Sequence, residues 1–585
     1  MIQYNLATFQ KQKTSVFFAL KKMEIFMIGE KSKMFLAFVA IVINSVSNLL
    51  GPYVFGYTID HFILKKDFVG VIHAAFLLLV IYIVGFVAHF VQMRVTGGIG
   101  QRVLFRLRNA IFEKLQSLPV SFFNQNKIGD LISRMNNDTD KLNQFFSETL
   151  TRFVGSIFII LGAGIFVLSL HFNLGFVAMI PAFCVLLLTR VLSPLVKAKN
   201  IKALQSTGGL SAEIQESLNN FKVIVAFHRQ NYFQKKFREV NEQNFRAAVQ
   251  SGILNTFFTP VYDFAANMSQ IIVFGYGIYL ITEGNLTVGL LISFISYMNR
   301  FYDPLKQMAM LWASFQMALA AWSRVSEILS LESNLLLVEK SVALRHSPLL
   351  EFKDISFGYE EGNDVLKNFN FYLEKGKTYA LVGPTGGGKT TTASLMARLF
   401  DPVSGKIFLN GRDLREYSDE ERTQKIGFIL QEPFLFTGTV GENIVYGNKK
   451  YSELKNNELL EILKQHNFEM LLARFDEGLE TKITGGNDGL SLGQKQLIAF
   501  MRAVMRHPEI LILDEATANI DTITEAQLEE ILKKLPVKTT KVIIAHRLST
   551  IENADDIFFV SGGKIVEAGS LEHAMQLLLE GKRVS

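Results

Sequence analysis

Six long apolar stretches in the first half of the chain constrain its fold more than any other feature of the sequence. Each holds about 20 predominantly apolar residues, which is the length that an α-helix needs to cross roughly 30 Å of hydrocarbon. The stretches occupy residues 35–58, 70–93, 150–171, 174–196, 252–282 and 287–318. The mean hydropathy of +0.23 is also higher than a soluble enzyme tolerates. We therefore predict a membrane domain of six spanning α-helices.

The connections between these stretches alternate in length and charge. The third and fourth stretches are separated only by the turn at His171–Asn173, and the fifth and sixth only by Glu283–Asn285. The segments after the second and fourth, including Gln101–Leu118 and Ile201–Val249, are long, rich in lysine and arginine, and patterned as helices that extend beyond the bilayer. Because basic connections stay on the cytoplasmic side, we predict that both termini are cytoplasmic in a multi-pass protein of the inner (plasma) membrane.

Segments outside the spans carry their own predictions. Phe122–Asp130 and Asn219–Phe227 break the helical periodicity of the long connections, which predicts short transverse helices at their far ends. Val16–Ile28 is predicted to be an interfacial helix on the membrane surface, with a cytosolic helix as the alternative. Met1–Lys33 lacks the small-residue cleavage pattern of a signal peptide.

Charge and cysteine content narrow the possible partners. The net charge is +6, but the basic residues are spread along the predicted cytoplasmic connections and are not gathered with aromatic residues in one patch. This distribution favours an anionic membrane leaflet over nucleic acid as the partner. The only cysteine, Cys184, lies in an apolar stretch and cannot form an intrachain disulfide.

Polar side chains within the spans are costly in lipid, so each is expected to face another helix, a cavity or the interface. They are Asn44, Asn48, Arg190, Asp263, Asn267 and Arg300. Substrate contact, hydrogen bonding between helices and, for the two arginines, snorkelling to the interface are all open. The last span also carries a surface that suits either varied apolar ligands or ordinary packing. Its members are Phe294, Tyr297, Met298, Phe301 and Tyr302.

The character of the sequence changes near Glu332. Long apolar runs give way to short β-type stretches, glycine turns and charged helices, which predict a soluble α/β domain. We place the boundary between Leu331 and Pro348. The predicted organisation is an N-terminal cytoplasmic or interfacial segment at 1–33, the membrane domain at 34–330, a linker at 331–347 and the α/β domain at 348–585.

A glycine-rich loop follows the short apolar strand predicted at Thr378–Val382 and precedes a helical pattern, which is the context of a P-loop. The loop residues are Gly383, Pro384, Thr385, Gly386, Gly387, Gly388, Lys389, Thr390 and Thr391. Its glycines let backbone N–H groups turn toward phosphates, Lys389 reaches the β and γ phosphates, and the Thr390 hydroxyl ligates Mg²⁺. The sequence therefore predicts a P-loop NTPase that uses ATP and Mg²⁺.

A second element ends in two acidic residues. Ile510–Leu513 has the composition of a buried strand, and Asp514 and Glu515 follow it directly. Asp514 suits a role at Mg²⁺, either as a direct ligand or by hydrogen bonding to a ligand of the ion. Glu515 is placed to orient or deprotonate the attacking water. A strand that ends in exposed acids is common, but after a P-loop at this separation it indicates an ATPase.

Between these two elements, Leu490-Ser491-Leu492-Gly493-Gln494 opens a predicted helix. This run resembles the signature sequence of the ATP-binding cassette (ABC) family, and it departs from that signature only at the variable third position, Leu492. The resemblance implies that Ser491, Gly493 and the N-terminus of the following helix bind the γ-phosphate of a nucleotide held by the opposite subunit. A helix N-terminus is a suitable anion site.

Four further positions match the family's pattern in order, and their roles come from the resemblance. Tyr359 is similar to the aromatic residue that stacks on adenine, although a strand-edge tyrosine is the alternative. Gln431 is similar to the glutamine that contacts Mg²⁺ and water. Asp521 falls in the loop that crosses the dimer interface, and His546 is similar to the histidine that contacts the γ-phosphate. The predicted catalytic residues are Glu515, His546 and Gln431, and the predicted Mg²⁺ ligands are Thr390, Gln431 and Asp514.

The order of six spans followed by the cassette resembles half-size bacterial ABC exporters, in which each ATP site needs a P-loop from one chain and a signature from another. Three departures bear on the partner chain. Leu492 replaces a frequent glycine, the crossing loop reads Ala-Asn-Ile-Asp up to Asp521, and Thr484–Gly489 lacks the glutamate usual before the signature. Together they resemble the catalytically complete chain of heterodimeric multidrug-type exporters, so a heterodimer is favoured over a homodimer.

The predicted function is ATP-driven export of amphipathic small molecules or lipids across the membrane by one half of a dimeric transporter. Two alternatives use the same frame. One is a dedicated peptide exporter, which the lack of an evident N-terminal protease segment argues against. The other is an ATP-gated channel or regulatory receptor. No nucleic acid is expected among the partners.

Overall fold

The computed structural model describes most of the chain and divides it into two compact units. The described residues are 4, 6, 23–333, 335, 337–338, 347–360, 362–484, 489–514, 522–544 and 551–579. A helical unit comprises the described residues of Gln10–Leu115 and Gly129–Ser330, and an α/β unit comprises those of Met1–Phe9, Gln116–Ile128 and Leu331–Ser585. The prediction of a helical half followed by an α/β half is confirmed. The predicted domain boundaries stay predictions.

Long helices dominate the chain up to residue 330. In chain order they are α1 Lys31–Thr58, α2 Phe68–Ser117, α3 Val120–Gln125, α4 Ile128–Ser133, α5 Thr139–Gln144, α6 Leu150–Leu170, α7 Phe172–Asn219, α8 Phe221–Ala226, α9 Gln230–Thr282 and α10 Val288–Leu329. Three π-helical segments lie at Ile59–Ile63, Arg134–Asp138 and Phe145–Thr149. In the predicted N-terminal helix, the described part holds the 3₁₀ turn Glu24–Met27, and residues 16–22 lie outside the described residues.

Five helical stretches in the described chain are long and apolar enough to cross a membrane. They are Lys31–Ile63, Phe68–Ser117, Ile128–Leu170, Phe172–Asn219 and Gln230–Thr282. The sixth predicted span falls within α10, which has 42 residues, but Arg300, Asp303 and Lys306 interrupt its apolar sequence. Five of the six predicted spans are thus confirmed by length and composition, and the sixth stays a prediction.

The long helical extensions predicted from the sequence pattern are confirmed, and their cytoplasmic location stays a prediction. Helices α2, α7 and α9 contain 50, 48 and 53 residues, far more than the roughly 20 that a bilayer requires. Short helices also occur where the periodicity breaks: α3 begins two residues before the first predicted stretch and overlaps it, and α8 lies within the second. Helix α3 is grouped with the α/β unit and α8 with the helical unit.

The aromatic surface of α10 is a packing surface in the described chain. Phe294, Tyr297, Met298, Phe301 and Tyr302 are all at most 6% exposed. The Tyr297 hydroxyl donates to the carbonyl oxygen of Leu49 at 2.6 Å, and its ring stacks on Phe166 with centroids 5.2 Å apart. Of the two readings of this surface, the structure therefore favours packing.

An ionic cluster joins the start of the third membrane segment to the end of α10. Its members are Asp130, Arg134, Asp138, Arg324 and Glu327. Arg134 is 7% exposed and contacts Asp130 at 2.9 Å and Glu327 at 2.7 Å. Arg324 contacts Asp130 at 2.6 Å and Asp138 at 3.2 Å. Because both arginines bridge two carboxylates, the cluster holds the two elements together within the helical unit.

The α/β unit alternates short strands and helices. Its strands are β1 Leu350–Phe357, β2 Leu366–Leu373, β3 Thr378–Val382, β4 Ser404–Leu409, β5 Arg412–Asp413, β6 Ile426–Ile429, β7 Gly438–Thr439, β8 Lys482–Ile483, β9 Ile510–Asp514, β10 Thr540–Ile544, β11 Asp556–Ser561 and β12 Lys564–Glu567. Its further helices are α11 Lys389–Met396, α12 Asp419–Lys425, α13 Val440–Val445, α14 Asn456–Gln465, α15 Glu469–Leu472, α16 Leu492–Val504, α17 Thr522–Lys534 and α18 Leu571–Leu579.

Two larger sheets organise these strands. A six-stranded sheet has the order β12-β11-β3-β10-β9-β6, in which all neighbours pair in parallel except the edge strand β12. An antiparallel sheet has the order β2-β1-β4-β5. Strand β9 is buried throughout, as expected for a continuous apolar strand in a parallel sheet. Because parallel strands run in one direction, the carboxyl ends of β3, β10, β9 and β6 lie at one edge of the sheet.

Candidate nucleotide-binding site

The glycine-rich loop lies between the buried strand β3 and helix α11, as predicted. Gly383, Gly386 and Gly388 have φ values of +143°, +79° and +111°, which L side chains rarely adopt. A Cβ on Gly383 would lie 2.0 Å from the carbonyl oxygen of Val560, whereas one on Gly386 would meet nothing within 4 Å. The loop is therefore pressed against β11 at its start and open at its middle, where a phosphate can approach the backbone.

Lys389 starts helix α11 and turns its side chain back over the loop. It is 6% exposed, and its Nζ donates to the carbonyl oxygens of Gly383 at 2.9 Å and Pro384 at 3.0 Å. The ammonium group therefore lies within the loop, next to the positive end of the helix dipole. A buried cation beside helical N–H groups favours an anionic ligand.

Thr390 and Asp514 meet beneath the loop. The Thr390 hydroxyl donates to Oδ1 of Asp514 at 3.4 Å, and Asp514 is 1% exposed at the end of β9. Gln431 lies two residues beyond the end of β6, whose residue Ile429 pairs with Leu513 of β9. Strand order therefore puts Gln431 and Asp514 on the same edge of the sheet.

The donor set at this edge suits Mg²⁺. A hydroxyl, a carboxylate and an amide oxygen are the hard ligands that this ion prefers, usually with one or two carboxylates and the phosphates of a nucleotide. Thr390, Asp514 and Gln431 would each supply one such oxygen, so this donor set fits Mg²⁺ that is also held by phosphates.

Tyr359 lies beside the first helical turn after the loop. Its hydroxyl and that of Thr391 are 3.1 Å apart, and its side chain is 40% exposed. The rings of Phe357 and Phe400 meet it edge-on, with centroids 5.1 and 5.4 Å away. These contacts orient the ring next to the loop, which suits base stacking better than an isolated strand-edge tyrosine does.

Sequence reasoning missed the two aromatic residues that orient Tyr359. Phe357 precedes it by two residues, so its contact could have been found from the strand pattern of β1. Phe400 lies 41 positions away, beyond α11, and no pattern in the sequence connects it to Tyr359.

The signature residues form the N-terminus of α16. Ser491 caps the helix, with its Oγ accepting from the backbone N–H of Gln494 at 3.2 Å, and the Gln494 side chain accepts from the Ser491 N–H at 2.8 Å. Ser491 and Leu492 are exposed, and Gly493 is partly buried. This reciprocal cap leaves the first turn facing outward with its remaining N–H groups unshielded, as an anion site requires.

Three predicted site residues, Glu515, Asp521 and His546, lie outside the described residues, and their roles stay predictions. The strands that lead to two of them are described. Asp514 of β9 pairs with Ile544 of β10, so these two strands end side by side. The structure thus brings together Lys389, Thr390, Asp514 and Tyr359 by contact, and Gln431 by strand order.

Comparison with known proteins covers most of the chain. The family model described as ABC transporter transmembrane region matches residues 34–305, and the model described as ABC transporter matches residues 366–518. An uncharacterized ABC transporter ATP-binding protein of Bacillus subtilis is 34% identical over 559 residues, covering 94% of this chain and 91% of that protein. A fatty acid ABC transporter ATP-binding/permease protein of Mycobacterium bovis is 32% identical, with coverage of 88% and 81%. An ATP-dependent lipid A-core flippase of Syntrophus aciditrophicus is 31% identical, with coverage of 85% and 82%.

Proposed function

The chain belongs to the ABC transporter family, and we propose that it is one half of a dimeric exporter that moves amphipathic small molecules or lipids across the cytoplasmic membrane. It is a multi-pass membrane protein with an ATPase coupled to transport. The observation that carries the proposal is the joint occurrence, in one chain, of membrane-spanning helices and a P-loop whose Lys389, Thr390 and Asp514 are already gathered.

The geometry of the loop fits ATP together with Mg²⁺. When bound, ATP supplies the free energy of phosphoanhydride hydrolysis, and Mg²⁺ neutralises charge on its phosphates. Lys389 would neutralise the phosphates from within the loop, and Thr390 and Asp514 would hold the metal. Tyr359 would orient the base by stacking, because Phe357, Phe400 and Thr391 fix the direction of its ring. These are proposed roles for residues of this chain.

The remaining steps fall to residues at the same edge of the sheet and to the partner chain. We assign to Glu515 the orientation or deprotonation of the attacking water, with Gln431 and His546 polarising its surroundings. The exposed first turn of α16, at Ser491, would meet the nucleotide of the opposite chain, and Asp521 would cross between the two. Closure of two such sites would favour one arrangement of the membrane helices over another.

Two of the similar proteins support an amphipathic or lipid substrate. Their names state a fatty acid transporter and a lipid A-core flippase. The proposal places both termini and the long basic helical extensions in the cytoplasm, since lysine and arginine are retained there. Outward movement of substrate agrees with that orientation.

We also propose that the partner is a different chain. The support is sequence chemistry: Leu492 at the third signature position and the absence of a glutamate from Thr484–Gly489 resemble the catalytically complete chain of heterodimeric exporters. Co-purification of tagged and untagged copies of this chain tests the proposal. An active, stable dimer formed by this chain alone would contradict it.

Transport by inverted membrane vesicles tests the function itself. We expect accumulation of an amphipathic fluorescent substrate only when Mg-ATP is present outside, and we expect Glu515→Gln to retain nucleotide binding but to lose nearly all hydrolysis and accumulation. Glu552→Gln, at a described exposed carboxylate outside the site, is the matched control. Passive ion conductance gated by ATP would instead support a channel, and accumulation of peptides alone would support a peptide exporter.

A further inference from the structure

Arg300 lies near the middle of the predicted sixth span, within α10. Helix α10 begins after Thr287, where the Asp60 carboxylate accepts from the N–H of Gly289 at 2.8 Å and joins the end of the first span to the start of the last. At 1.5 Å per residue, Arg300 is about 20 Å along the helix from that end. In a hydrocarbon core of roughly 30 Å, this position lies in the interior from either side.

The guanidinium of Arg300 lacks a counter-ion in the described chain. Its Nη1 donates to Oδ1 of Asn48 at 3.1 Å, and among described residues no carboxylate lies within the 4.0 Å of an ion pair. Asp263 pairs with Lys306 at 2.8 Å, and Asp303, on the same helix, has an exposed side chain that does not pair with Arg300. An intramembrane charge left in this state is costly and points to a ligand or pathway.

The side-chain amide oxygens of Asn44 and Asn48 each accept a hydrogen bond, while the amide N–H groups of Asn44 have no described acceptor. Nδ2 of Asn48 donates to both the backbone oxygen and Oδ1 of Asn44, at 2.9 and 3.1 Å. Oδ1 of Asn48 is already taken by Arg300. Within the described contacts, Nδ2 of Asn44 and most of the five N–H groups of Arg300 therefore remain as donors. The amide oxygens each keep a second lone pair, but N–H donors and a positive charge predominate, and such a set favours an anionic acceptor.

A cavity adjoins the two asparagines, and Arg300, which is not among the residues that line it, is connected to it through Asn48. It has a volume of about 320 Å³ and is lined by Asn44, Asn48, Tyr82, Phe86 and His89, among others. Tyr82 and Phe86 are 52% and 71% exposed, so this wall of the cavity is accessible in the described chain. An amphipathic molecule that enters along this wall would bring its head group to the asparagines.

We propose that Arg300, Asn48 and Asn44 form a site for the oxyanion head group, a carboxylate or a phosphate, of an amphipathic substrate. This inference rests on the proposed export function and narrows its substrate class to anionic amphiphiles. Arg300 supplies the charge, Asn48 orients its guanidinium, Asn44 supplies further N–H donors, and the aromatic wall of the cavity accepts the first part of the apolar tail.

Binding of three probes with the same C18 chain tests the site: oleate, oleyl phosphate and the neutral oleyl alcohol. The probes are titrated against the full chain in nanodiscs without nucleotide. We expect Arg300→Gln to weaken oleate and oleyl phosphate by about 10- to 100-fold, as loss of a charged hydrogen bond would, and to change oleyl alcohol by less than about twofold. Arg300→Lys should retain part of the affinity. A preference for one of the two anions would identify the head group.

A matched control and a second variant exclude a purely structural role. Arg190→Gln removes another arginine from a span, one whose side chain is exposed, and should leave all three affinities unchanged. Asn48→Asp places a carboxylate where the amide now accepts from Arg300, so the contact between α1 and α10 should persist as an ion pair, although the two donations to Asn44 are lost, while anion binding is lost. Thermal unfolding checks that the fold is retained.

Equal weakening of all three probes by Arg300→Gln, or no weakening of the anions by either Arg300→Gln or Asn48→Asp, would overturn the inference. The proposed function is judged separately by ATP-driven accumulation in vesicles. Active transport without Arg300-dependent anion binding removes only the inference. Selective anion binding without transport removes the export proposal and retains the site.

Discussion

The helix caps of the α/β unit and the arginine contacts of the helical unit connect residues at very different distances along the chain. In the α/β unit, helices α12, α13 and α16 each begin with a reciprocal capping box between residues three positions apart. In the helical unit, Arg134 contacts Glu327 across 193 positions, and Arg300 contacts Asn48 across 252. Local motifs can be found in a sequence, whereas distant pairs exist only after folding. The nucleotide site was therefore predictable in detail, and the polar contacts of the membrane half were not.

Lys389→Met is the strongest test of whether a local sequence motif defines the nucleotide site. Because Lys389 lies within the loop on two carbonyl oxygens, its loss removes the cation that the site offers to phosphates. We expect ATP hydrolysis by the full chain to fall at least about 100-fold, the loss typical of removing one preorganised electrostatic donor. Lys564→Met, at an exposed lysine of β12, should not alter it. Full activity of Lys389→Met would mean that the local motif does not define the site.

The ionic cluster around Arg134 tests whether contacts between residues far apart in the sequence stabilise the helical unit. Arg134→Met leaves Asp130 and Glu327 without the buried cation that joins them, and we expect a loss of about 2–4 kcal/mol in unfolding free energy. Thermal unfolding in detergent measures it. Arg246→Met removes an exposed pair with Glu242 within α9 and should produce no measurable shift. If Arg134→Met and Arg246→Met shift thermal unfolding equally, the distant contacts of Arg134 stabilise the protein no more than the local pair of Arg246.

Close approach of the first and last spans gives a smaller effect. A Cβ on Gly56 would lie 2.0 Å from Oγ of Ser293 and 2.4 Å from the carbonyl oxygen of Gly289. We expect Gly56→Ala to destabilise the helical unit by about 1–3 kcal/mol through overpacking, measured by thermal unfolding. Gly275→Ala in α9 meets nothing within 4 Å and should be neutral. A neutral Gly56→Ala would show that the two helices do not pack this closely.

The smallest expected effect depends on pH and lies in the α/β unit. Burial lowers the pKa of His466 and of His507 below 6.5, and their rings are 5.0 Å apart. The unfolded chain then binds more protons than the folded one. The stabilisation is therefore complete above pH 6.5. It is lost as the pH falls from there toward the lower pKa values that the two histidines have in the folded protein.

We expect the apparent Tm to fall by roughly 1–2 °C between pH 7 and pH 5.5 from this pair, because solvent weakens the effect at the exposed edge of His507. His466→Gln should flatten that slope, whereas His573→Gln, at an exposed histidine of α18, should not. An unchanged slope in His466→Gln would exclude the pair as its source.

Particular residues show how far sequence reasoning reached. Gly383 and Lys389 were predicted with their roles because a loop between a strand and a helix needs glycines and one cation at set positions. The short helices α3 and α8 were found from breaks in periodicity. Tyr297 and Phe301 could not be assigned between ligand contact and packing, since both uses favour the same aromatic side chains. Only their burial against other helices decides for packing.

The sequence by itself determined the division into a membrane half and an ATPase half, the positions of five spans and the residues of the glycine-rich loop. These depend on composition, periodicity and spacing over a few residues, which a chain carries before it folds. The tertiary structure alone decided that Arg300 has Asn48 and no described carboxylate as its partner, and that Phe400 orients Tyr359. Such pairings arise when helices and strands far apart in the chain pack together, because hydrogen bonds and ion pairs act only over a few ångströms.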